Sequence, residues 1–273
     1  MIRVVTPWYI EASDYFEALA ESVSLQTMEC QWVLCVSKSE LVQLQKMLKS
    51  HHITAELRIY PEHLENAIEK RQWLYNYLLQ KYDGLLVQVD ADDVLDSDRV
   101  RCVKEAWVAN GSAALYMSRL RYLENYQSDV MNLPAELSSP FDLSLSNCVG
   151  LSHVTFNVPV LRKLFPNGFN FCNQVTALDW LLAVQVLARG GRIILDPGMV
   201  YYRVYAGNVA GSPRDGSLAS KDRAHRVRTT HYDALVNDGL GGYTPVLSSV
   251  SHLKSNMSGF ARGNWSGWWW SAK

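Results

Sequence analysis

The chain has 273 residues, of which 48% are hydrophobic and 19% are charged, so it can bury a full core and has the composition of an ordinary soluble globular protein. Its formal net charge of −1 provides no general basic field, which excludes nucleic acid as an expected partner. No stretch has the pattern of a signal peptide or the length of a membrane-spanning helix. We therefore expect a cytoplasmic protein.

The cysteines indicate neither a disulfide framework nor a metal site. They are odd in number, scattered, and lack the short spacings of metal ligands. The five positions are Cys30, Cys35, Cys102, Cys148 and Cys172. We predict buried free thiols.

The first part of the chain alternates between predicted strands and predicted helices. Apolar, β-branched runs predict strands at residues 2–6, 32–36, 55–60 and 85–89. Helical spacing predicts helices at residues 13–25 with Ser13 as N-cap, at 39–50 and at 62–82. This alternation is typical of a parallel sheet, so residues 1–95 or so are predicted to form a nucleotide-binding half.

The second part, to about residue 211, is less regular and is predicted to form an acceptor half. The predicted elements are a helix at 96–109, a strand at 113–117, a loop at 133–147 able to fold over a ligand, a weak strand at 148–158, a short helix opened by Pro159, a helix at 177–188 capped by Thr176, and two short strands at 192–195 and 199–204. The fold class predicted for both halves is α/β, with a mixed, mainly parallel sheet flanked by helices.

A run of acids follows the fourth predicted strand. The sequence LLVQV at residues 85–89 leads directly into Asp90, Ala91, Asp92 and Asp93. Ligands of open α/β sheets bind at the carboxyl ends of the strands. Carboxylates this close repel one another unless a cation lies among them, and hard oxygen ligands suit Mg²⁺ or Mn²⁺. A solvated acidic turn before a helix is the alternative interpretation.

Five segments in order carry a resemblance to a known family. They are VVTPWY at residues 4–9, ESVSLQT at 21–27, DADDVL at 90–95, LDWLL at 178–182 and YYRVYAGN at 201–208. Together they resemble the inverting, metal-dependent nucleotide-sugar glycosyltransferases of the GT-A fold, family 2. The resemblance covers most of the chain up to Gly211, and the remaining residues, 212–273, are predicted to be a C-terminal extension.

The resemblance implies transfer of a sugar from a nucleotide-diphosphate donor to an acceptor hydroxyl, with inversion. Asp179 would be the general base, and Asp92, with Asp90, would bind Mn²⁺ or Mg²⁺. The residues implied at the donor are Pro7, Tyr9, Ser37, Arg71, Asp90, Ala91, Asp92 and Arg203. A UDP-sugar is the expected donor and a saccharide or glycolipid the expected acceptor. For Arg71 and Arg203, a solvated helix face or a surface ion pair is the alternative.

The chain departs from the family pattern at three positions. The acidic segment that follows the family's second strand is replaced by VSKS, which includes Ser37. The family's late histidine is Tyr205, a poor ligand for a hard cation at neutral pH, so metal binding would rest on Asp92 and water. The acid that precedes the base is Leu178, which leaves Asp179 as the single carboxylate there.

Two other functions fit parts of the pattern. Ser37 and Tyr205 are compatible with a nucleotide- or sugar-binding module that has kept the fold and lost activity. The segment DADDV also fits Mg²⁺-dependent phosphatases in which the first Asp is the nucleophile. In those proteins the acidic strand comes first, whereas three predicted strands precede it here.

The last 62 residues lie beyond the resemblance. A basic run with Lys221, Arg223, His225 and Arg226 continues into a predicted helix that ends near Val236. Four tryptophans follow near the end of the chain, at positions 265, 268, 269 and 270. We predict that they pack on the parent domain or mediate self-association, while an aromatic surface for an acceptor or for a membrane interface is the alternative.

Overall fold

The computed structural model describes residues 1–205 and 218–244. The tryptophans of the C-terminal end, and residues 206–208 of the last family-like segment, lie outside the described residues. In the described part, no helix is long and apolar enough to cross a membrane. All five cysteines are free as predicted, but only Cys35 and Cys102 are buried, whereas the other three are half-buried.

The described residues form a mixed α/β structure. The strands are β1 Ile2–Pro7, β2 Gln31–Val36, β3 Glu56–Ile59, β4 Leu85–Gln88, β5 Val94–Leu95, β6 Leu115–Tyr122, β7 Asn125–Asp129, β8 Glu136–Leu137, β9 Val154–Asn157 and β10 Ile193–Tyr202. The α-helices are α1 Phe16–Ser24, α2 Leu41–Ser50, α3 Ala67–Lys81, α4 Arg99–Ala109, α5 Val158–Leu164, α6 Leu178–Ala188 and α7 Leu218–Asn237.

One sheet joins all of these strands in the main order β3-β2-β1-β4-β9-β6-β10-β5. Strands β3, β2, β1 and β4 are mutually parallel, as the alternation of the first part predicts. β9 is antiparallel to both of its neighbours, β4 and β6, and β10 is parallel to β6. The fold class predicted from the sequence, a mixed and mainly parallel sheet flanked by helices, is confirmed.

Burial explains why β4 and α6 are central. β4 is apolar over three successive residues, Leu85, Leu86 and Val87, none more than 2% exposed, which is the pattern of a strand covered on both faces. Every residue of α6 from Leu178 to Leu187 is buried. A helix that is apolar on all sides belongs in the core, so its single acid, Asp179, is placed in a largely water-excluded position.

The starts of α1, α3 and α6 differ from the prediction. A short 3₁₀ helix, Ile10–Tyr15, precedes α1, and the Ser13 hydroxyl donates to the Ile10 carbonyl instead of capping a helix. Ala177, not Thr176, is at the N-cap of α6, and it makes no capping side-chain bond. α3 starts later than predicted, because the side chain of Asn66 accepts a hydrogen bond from the Glu69 amide and caps the helix there.

The two short strands predicted around Asp196 are one strand, β10, with an irregularity between Leu195 and Met199. The Asp196 carboxylate accepts hydrogen bonds from the Gly198 amide at 2.7 Å and the Ser118 hydroxyl at 2.7 Å. These bonds hold the Asp-Pro-Gly segment as a bulge inside the strand. The loop predicted at 133–147 contains β8 and a 3₁₀ helix, Pro140–Leu143, and the weak strand predicted at 148–158 is reduced to β9.

A fully buried ion pair joins α4 to this bulge. Nη1 of Arg99 lies 3.2 Å from the Asp196 carboxylate, and both side chains are 0% exposed. Nη2 of Arg99 donates to the Thr155 hydroxyl at 2.7 Å. The guanidinium therefore connects α4, β9 and β10 and needs each partner, because an unpaired buried charge is costly.

We expect Asp196→Ala to lower the free energy of unfolding by about 3–5 kcal/mol, because it leaves the Arg99 guanidinium buried without its counter-ion. Glu136→Ala is the matched control, since it breaks the half-exposed pair with Arg192 and should cost much less, because solvent screens such a pair. Urea unfolding of both variants measures the difference. Equal losses would contradict the proposed role of the buried pair.

Candidate active site

The predicted acidic cluster forms a turn between β4 and β5. β4 lies between β1 and β9 in the sheet, and β5 pairs with the end of β10. Asp90 keeps 27% of its side chain exposed, whereas Asp93 is only 2% exposed. The acids therefore differ in environment, and each has its own partner.

Asp93 fixes the turn to the end of β10. Its carboxylate accepts a hydrogen bond from the Arg203 amide at 3.0 Å and bonds the Ser152 side chain. Burial, together with the charge of Asp92, raises the pKa of Asp93 well above its usual value. Such a group serves as a structural brace and does not face ligand.

Asp92 is held by two tyrosines and one arginine. The Tyr205 hydroxyl donates to its carboxylate at 2.9 Å, Tyr9 also bonds it, and Nε of Arg203 donates to its carbonyl at 2.9 Å. Burial and the charge of Asp90 raise the pKa of Asp92. Burial and the charge of Asp92 also raise the pKa of Tyr205 to about 12, so Tyr205 is a neutral hydrogen-bond donor here.

Asp90 forms an ion pair with α3. Nη2 of Arg71 lies 2.8 Å from its carboxylate, and the Asp90 amide donates to the Ser152 hydroxyl at 3.1 Å. Burial is the largest single effect on the pKa of Arg71 and lowers it, but the charge and hydrogen bond of Asp90 together with Tyr75 and Tyr60 outweigh burial, so the pKa is raised. Nη1 of Arg71 is buried and has no hydrogen-bond partner among the described residues. An anion would satisfy that nitrogen.

Asp179 lies in the first turn of α6 and is 9% exposed. The pKa of Asp179 is raised to about 7, mainly by burial; the charge of Asp90 contributes to the rise, whereas the Trp180 amide and Arg71 act in the opposite direction. These effects indicate that Asp179 lies within electrostatic range of the Arg71–Asp90 pair. One carboxylate oxygen accepts a hydrogen bond from the Trp180 amide at 2.8 Å, which fixes the orientation of the group.

The other predicted donor residues lie along the same edge or next to it. Pro7 ends β1, and Ser37 follows β2 and accepts a hydrogen bond from Nζ of Lys70 at 3.1 Å. The Arg203 guanidinium lies over the Tyr15 ring, 4.4 Å from its centre. The Ala91 side chain is fully buried, so only its backbone is able to face a ligand. Within the described residues, neither Pro7 nor Ser37 makes a hydrogen bond to the acids.

Sequence reasoning missed two residues of the site. Ser152 bonds both Asp90 and Asp93, yet it lies in an irregular stretch with no motif. Tyr75 donates to Gln88 at 2.7 Å, directly before the acids. It follows Arg71 by four residues, so the two share one face of α3, and that spacing was a usable signal.

The described residues contain no group of three or more His, Cys, Asp and Glu side chains arranged to hold a metal ion. Burial, and after it the charges of neighbouring acids, raise the pKa values of Asp92 and Asp93, and a cation at the turn would favour their ionised forms. Because Asp90 is paired with Arg71, Asp92 is the better candidate ligand. Mg²⁺ and Mn²⁺ are suited to a site with one or two carboxylate ligands, in which phosphate and water oxygens complete the coordination.

Comparison with known proteins identifies the fold. No protein-family model and no curated protein matches the chain. The mannosyltransferase PcManGT from Pyrobaculum calidifontis, in complex with GDP-Man and Mn²⁺, is similar at 17% identity and a TM-score of 0.58, over 97% of this chain and 76% of that one. S. aureus TarS 1-349 in complex with UDP-GlcNAc is similar at 13% identity and a TM-score of 0.53, over 86% and 70%.

A longer TarS structure from S. aureus gives 14% identity and a TM-score of 0.52, and the chain spans only 39% of its length. Identities this low define the fold alone. The described chain has a GT-A-like glycosyltransferase fold, in which the acidic turn, Arg71 and Asp179 lie together at the carboxyl end of the central parallel strands.

We expect Asp179→Asn to stabilise the protein at high pH. The pKa of Asp179 is about 7 in the folded chain and about 3.9 in an unfolded one, so the folded state binds the proton more tightly and loses stability as the pH rises between these values. Asn removes the charge and keeps an acceptor for the Trp180 amide. The gain should be roughly 2–4 kcal/mol at pH 8 and less than half of that at pH 5.

Denaturant unfolding at the two pH values measures this gain. A gain that does not change with pH would show that Asp179 ionises normally in the folded protein.

Proposed function

We propose that the protein is a glycosyltransferase that moves a sugar from a nucleotide-diphosphate donor to an acceptor hydroxyl, with inversion and with Asp179 as general base. The observation that carries the proposal is a buried carboxylate with a pKa of about 7 beside the Arg71–Asp90 pair, in a GT-A-like sheet. In family terms this is a family 2-like hexosyltransferase. A saccharide or glycolipid acceptor and a cytoplasmic location stay predictions, as does self-association.

Asp179 suits the proton transfer. A general base works best when its pKa is close to the working pH, and burial moves the pKa of Asp179 from the acidic range to about 7. The ionised carboxylate takes the proton of the acceptor hydroxyl, and the acceptor oxygen forms a bond to the anomeric carbon. The bond from that carbon to the diphosphate breaks, and its electron pair leaves with the diphosphate.

The arginine contacts support binding of the leaving diphosphate. Nη1 of Arg71 is buried without a partner in the described part of the chain, while Nη2 is fixed by Asp90 at 2.8 Å. Arg203 is positioned by the Asp92 carbonyl at 2.9 Å. When bound, Mn²⁺ or Mg²⁺ neutralises charge on the diphosphate, and Asp92, with Asp90 as the weaker candidate, would hold it.

The roles of the other acids favour inversion. Retention through a covalent intermediate needs a second, free carboxylate as nucleophile. Asp90 is paired with Arg71, and Asp93 is buried and bonded to the Arg203 amide. Asp92 is bonded by the Tyr205 hydroxyl and is the proposed metal ligand. This leaves Asp179 as the candidate for the reacting base, in a single displacement.

The nature of the donor is proposed from the comparisons. The similar structures hold UDP-GlcNAc, UDP or GDP-Man. A UDP-sugar is the first donor to test and GDP-mannose the second. The residues proposed around it are Pro7, Tyr9, Ser37, Arg71, Asp90, Ala91, Asp92 and Arg203.

A binding module without activity is the second candidate. The specific observation in its favour is that the Tyr205 hydroxyl already bonds Asp92 while Arg71 already bonds Asp90, so each candidate metal ligand has a protein partner. Slow hydrolysis of a bound donor separates the two functions. The phosphatase has less support, since its nucleophile would be Asp90, which is held in an ion pair.

We expect Asp179→Asn to lower the rate of sugar transfer on the order of 10²–10⁴-fold, because the base acts in the transition state. Donor affinity should stay unchanged. Asp83→Asn is the control, since this 80% exposed acid precedes β4 and so lies at the opposite edge of the sheet. Donor hydrolysis or transfer rates and titration calorimetry with the donor measure the two effects, and an Asn variant of undiminished activity would exclude Asp179 as base.

We expect Asp92→Ala to weaken binding of UDP or GDP roughly tenfold or more in Mn²⁺, because a metal ligand already acts on the bound diphosphate. In EDTA the variant and the native protein should bind alike. Tyr205→Phe removes only the hydroxyl that bonds Asp92, and it should keep metal-dependent binding. Calorimetry with and without Mn²⁺ makes the comparison, and an affinity that Mn²⁺ does not change in the native protein would remove the metal from the proposal.

A further inference from the structure

A cavity of about 710 Å³ lies between α3 and the segment that leads into α6. Half of its twelve lining residues are amides, and one is a tryptophan. The amides are Gln72, Asn76, Asn170, Asn173, Gln174 and Asn237. The tryptophan is Trp73. The lining is therefore neither mainly apolar nor mainly acidic.

The wall of the cavity is fixed by two of these amides. The Asn76 side chain accepts from the Phe169 amide at 2.6 Å and donates to the Phe169 carbonyl at 3.0 Å. The Gln72 oxygen accepts from the Phe171 amide at 2.6 Å. Gly168 has a φ of +79°, and a Cβ there would lie 2.6 Å from Asn76, so the loop needs glycine to approach the helix. The cavity therefore has its shape before any ligand binds.

The remaining amides have free hydrogen-bonding groups. The side chains of Asn170, Gln174 and Asn237 make no hydrogen bond within residues 1–205 and 218–244, and Gln72 uses only its oxygen. An amide both donates and accepts, as a sugar hydroxyl does. Unused amides on a fixed wall are therefore suited to a ligand with many hydroxyl groups.

Trp73 provides a rigid apolar surface beside them. Its ring is half-buried, stacks on Tyr77 with centres 5.2 Å apart and meets Tyr60 edge-on at 5.7 Å. The indole nitrogen makes no hydrogen bond within the part of the chain that the structure describes. An aromatic ring held in place, with a polar handle, is suited to the apolar face of a sugar ring.

The charges of the described lining give an anionic ligand no strong partner. Among the residues that the structure describes, neither lysine nor arginine lines the cavity, and His63 is the one basic side chain there. Its one carboxylate, Glu69, is already engaged by the Asn173 amide at 3.1 Å and the Glu65 amide at 3.2 Å. Arg71 lies on the same helix but bonds Asp90 in the donor site. α3 thus presents a cation to one site and amides with an aromatic ring to the other.

We propose that this cavity binds neutral saccharide units and holds the acceptor. Two of its lining residues are close in sequence to the candidate active site, since Gln72 directly follows Arg71 and Gln174 precedes Asp179 by five residues. The acceptor role rests on the proposed transferase function, whereas binding of a neutral glycan does not. The ligand class follows from the amides, the aromatic ring and a described lining without lysine or arginine.

Saturation-transfer NMR with four neutral tetrasaccharides, cellotetraose, maltotetraose, chitotetraose and mannotetraose, tests the proposal on the full chain. A sulfated tetrasaccharide is the anionic comparison. We expect saturation of at least one neutral glycan, weakened roughly tenfold by Trp73→Ala and by the double variant Gln174→Ala with Asn237→Ala. The double variant changes exposed side chains only, so it guards against misfolding of the tryptophan variant. Trp107→Ala, at a half-buried tryptophan of α4, is the matched control.

Loss in the cavity variants with an unchanged Trp107 control supports the proposal. It is overturned if no neutral tetrasaccharide binds, if only the sulfated one binds, or if binding survives both cavity variants. Titration with UDP and GDP runs in parallel and should not differ between variants. If nucleotides fail to bind while glycan binding depends on the cavity, the transferase proposal fails and the cavity stands. If nucleotides bind but glycan binding does not depend on the cavity, only the cavity proposal is rejected.

Discussion

The ion pair between Arg71 and Asp90 is the interaction on which the site depends. Three acids at the end of a buried strand repel one another, and a cation from α3 neutralises one of them at 2.8 Å. This pairing positions α3 against β4, where Tyr75 also donates a hydrogen bond to Gln88. Its two charges act on the pKa of Asp179 in opposite directions, because Asp90 raises it and Arg71 lowers it. The acids therefore have different roles: Asp90 pairs with Arg71, Asp93 braces the turn, and Asp92 is the candidate metal ligand.

The sequence predicted the regular part of the fold well, because hydrophobic periodicity reports burial. β1 to β4 and their helices follow directly from it, and Pro159 correctly marked the start of α5. Long-range partners decided the rest. The bulge in β10 depends on Arg99, which lies 97 positions before Asp196. Local sequence patterns do not contain that pairing.

The site follows the same rule. The predicted acids and Arg71 do lie together, since strand ends and a helix face are readable from local sequence. The bond from Tyr205 to Asp92 spans 113 positions, and Ser152 has no motif, so both needed coordinates. The raised pKa of Asp179 was readable in part. An α6 sequence apolar on every side already implies a buried acid.

The helix that carries Asp179 is covered by α7. His231 stacks on Trp180 with ring centres 3.9 Å apart, the Tyr232 hydroxyl donates to the Ser144 carbonyl at 2.9 Å, and Gln185 donates to Asp238 at 2.7 Å. Expression of residues 1–211 alone would therefore strip the back of the base helix and expose the Trp180 ring to water. Chimaeras of related chains would be limited in the same way. A transferred segment that includes Asp179 has to include α7 as well, because α7 covers the helix that carries Asp179.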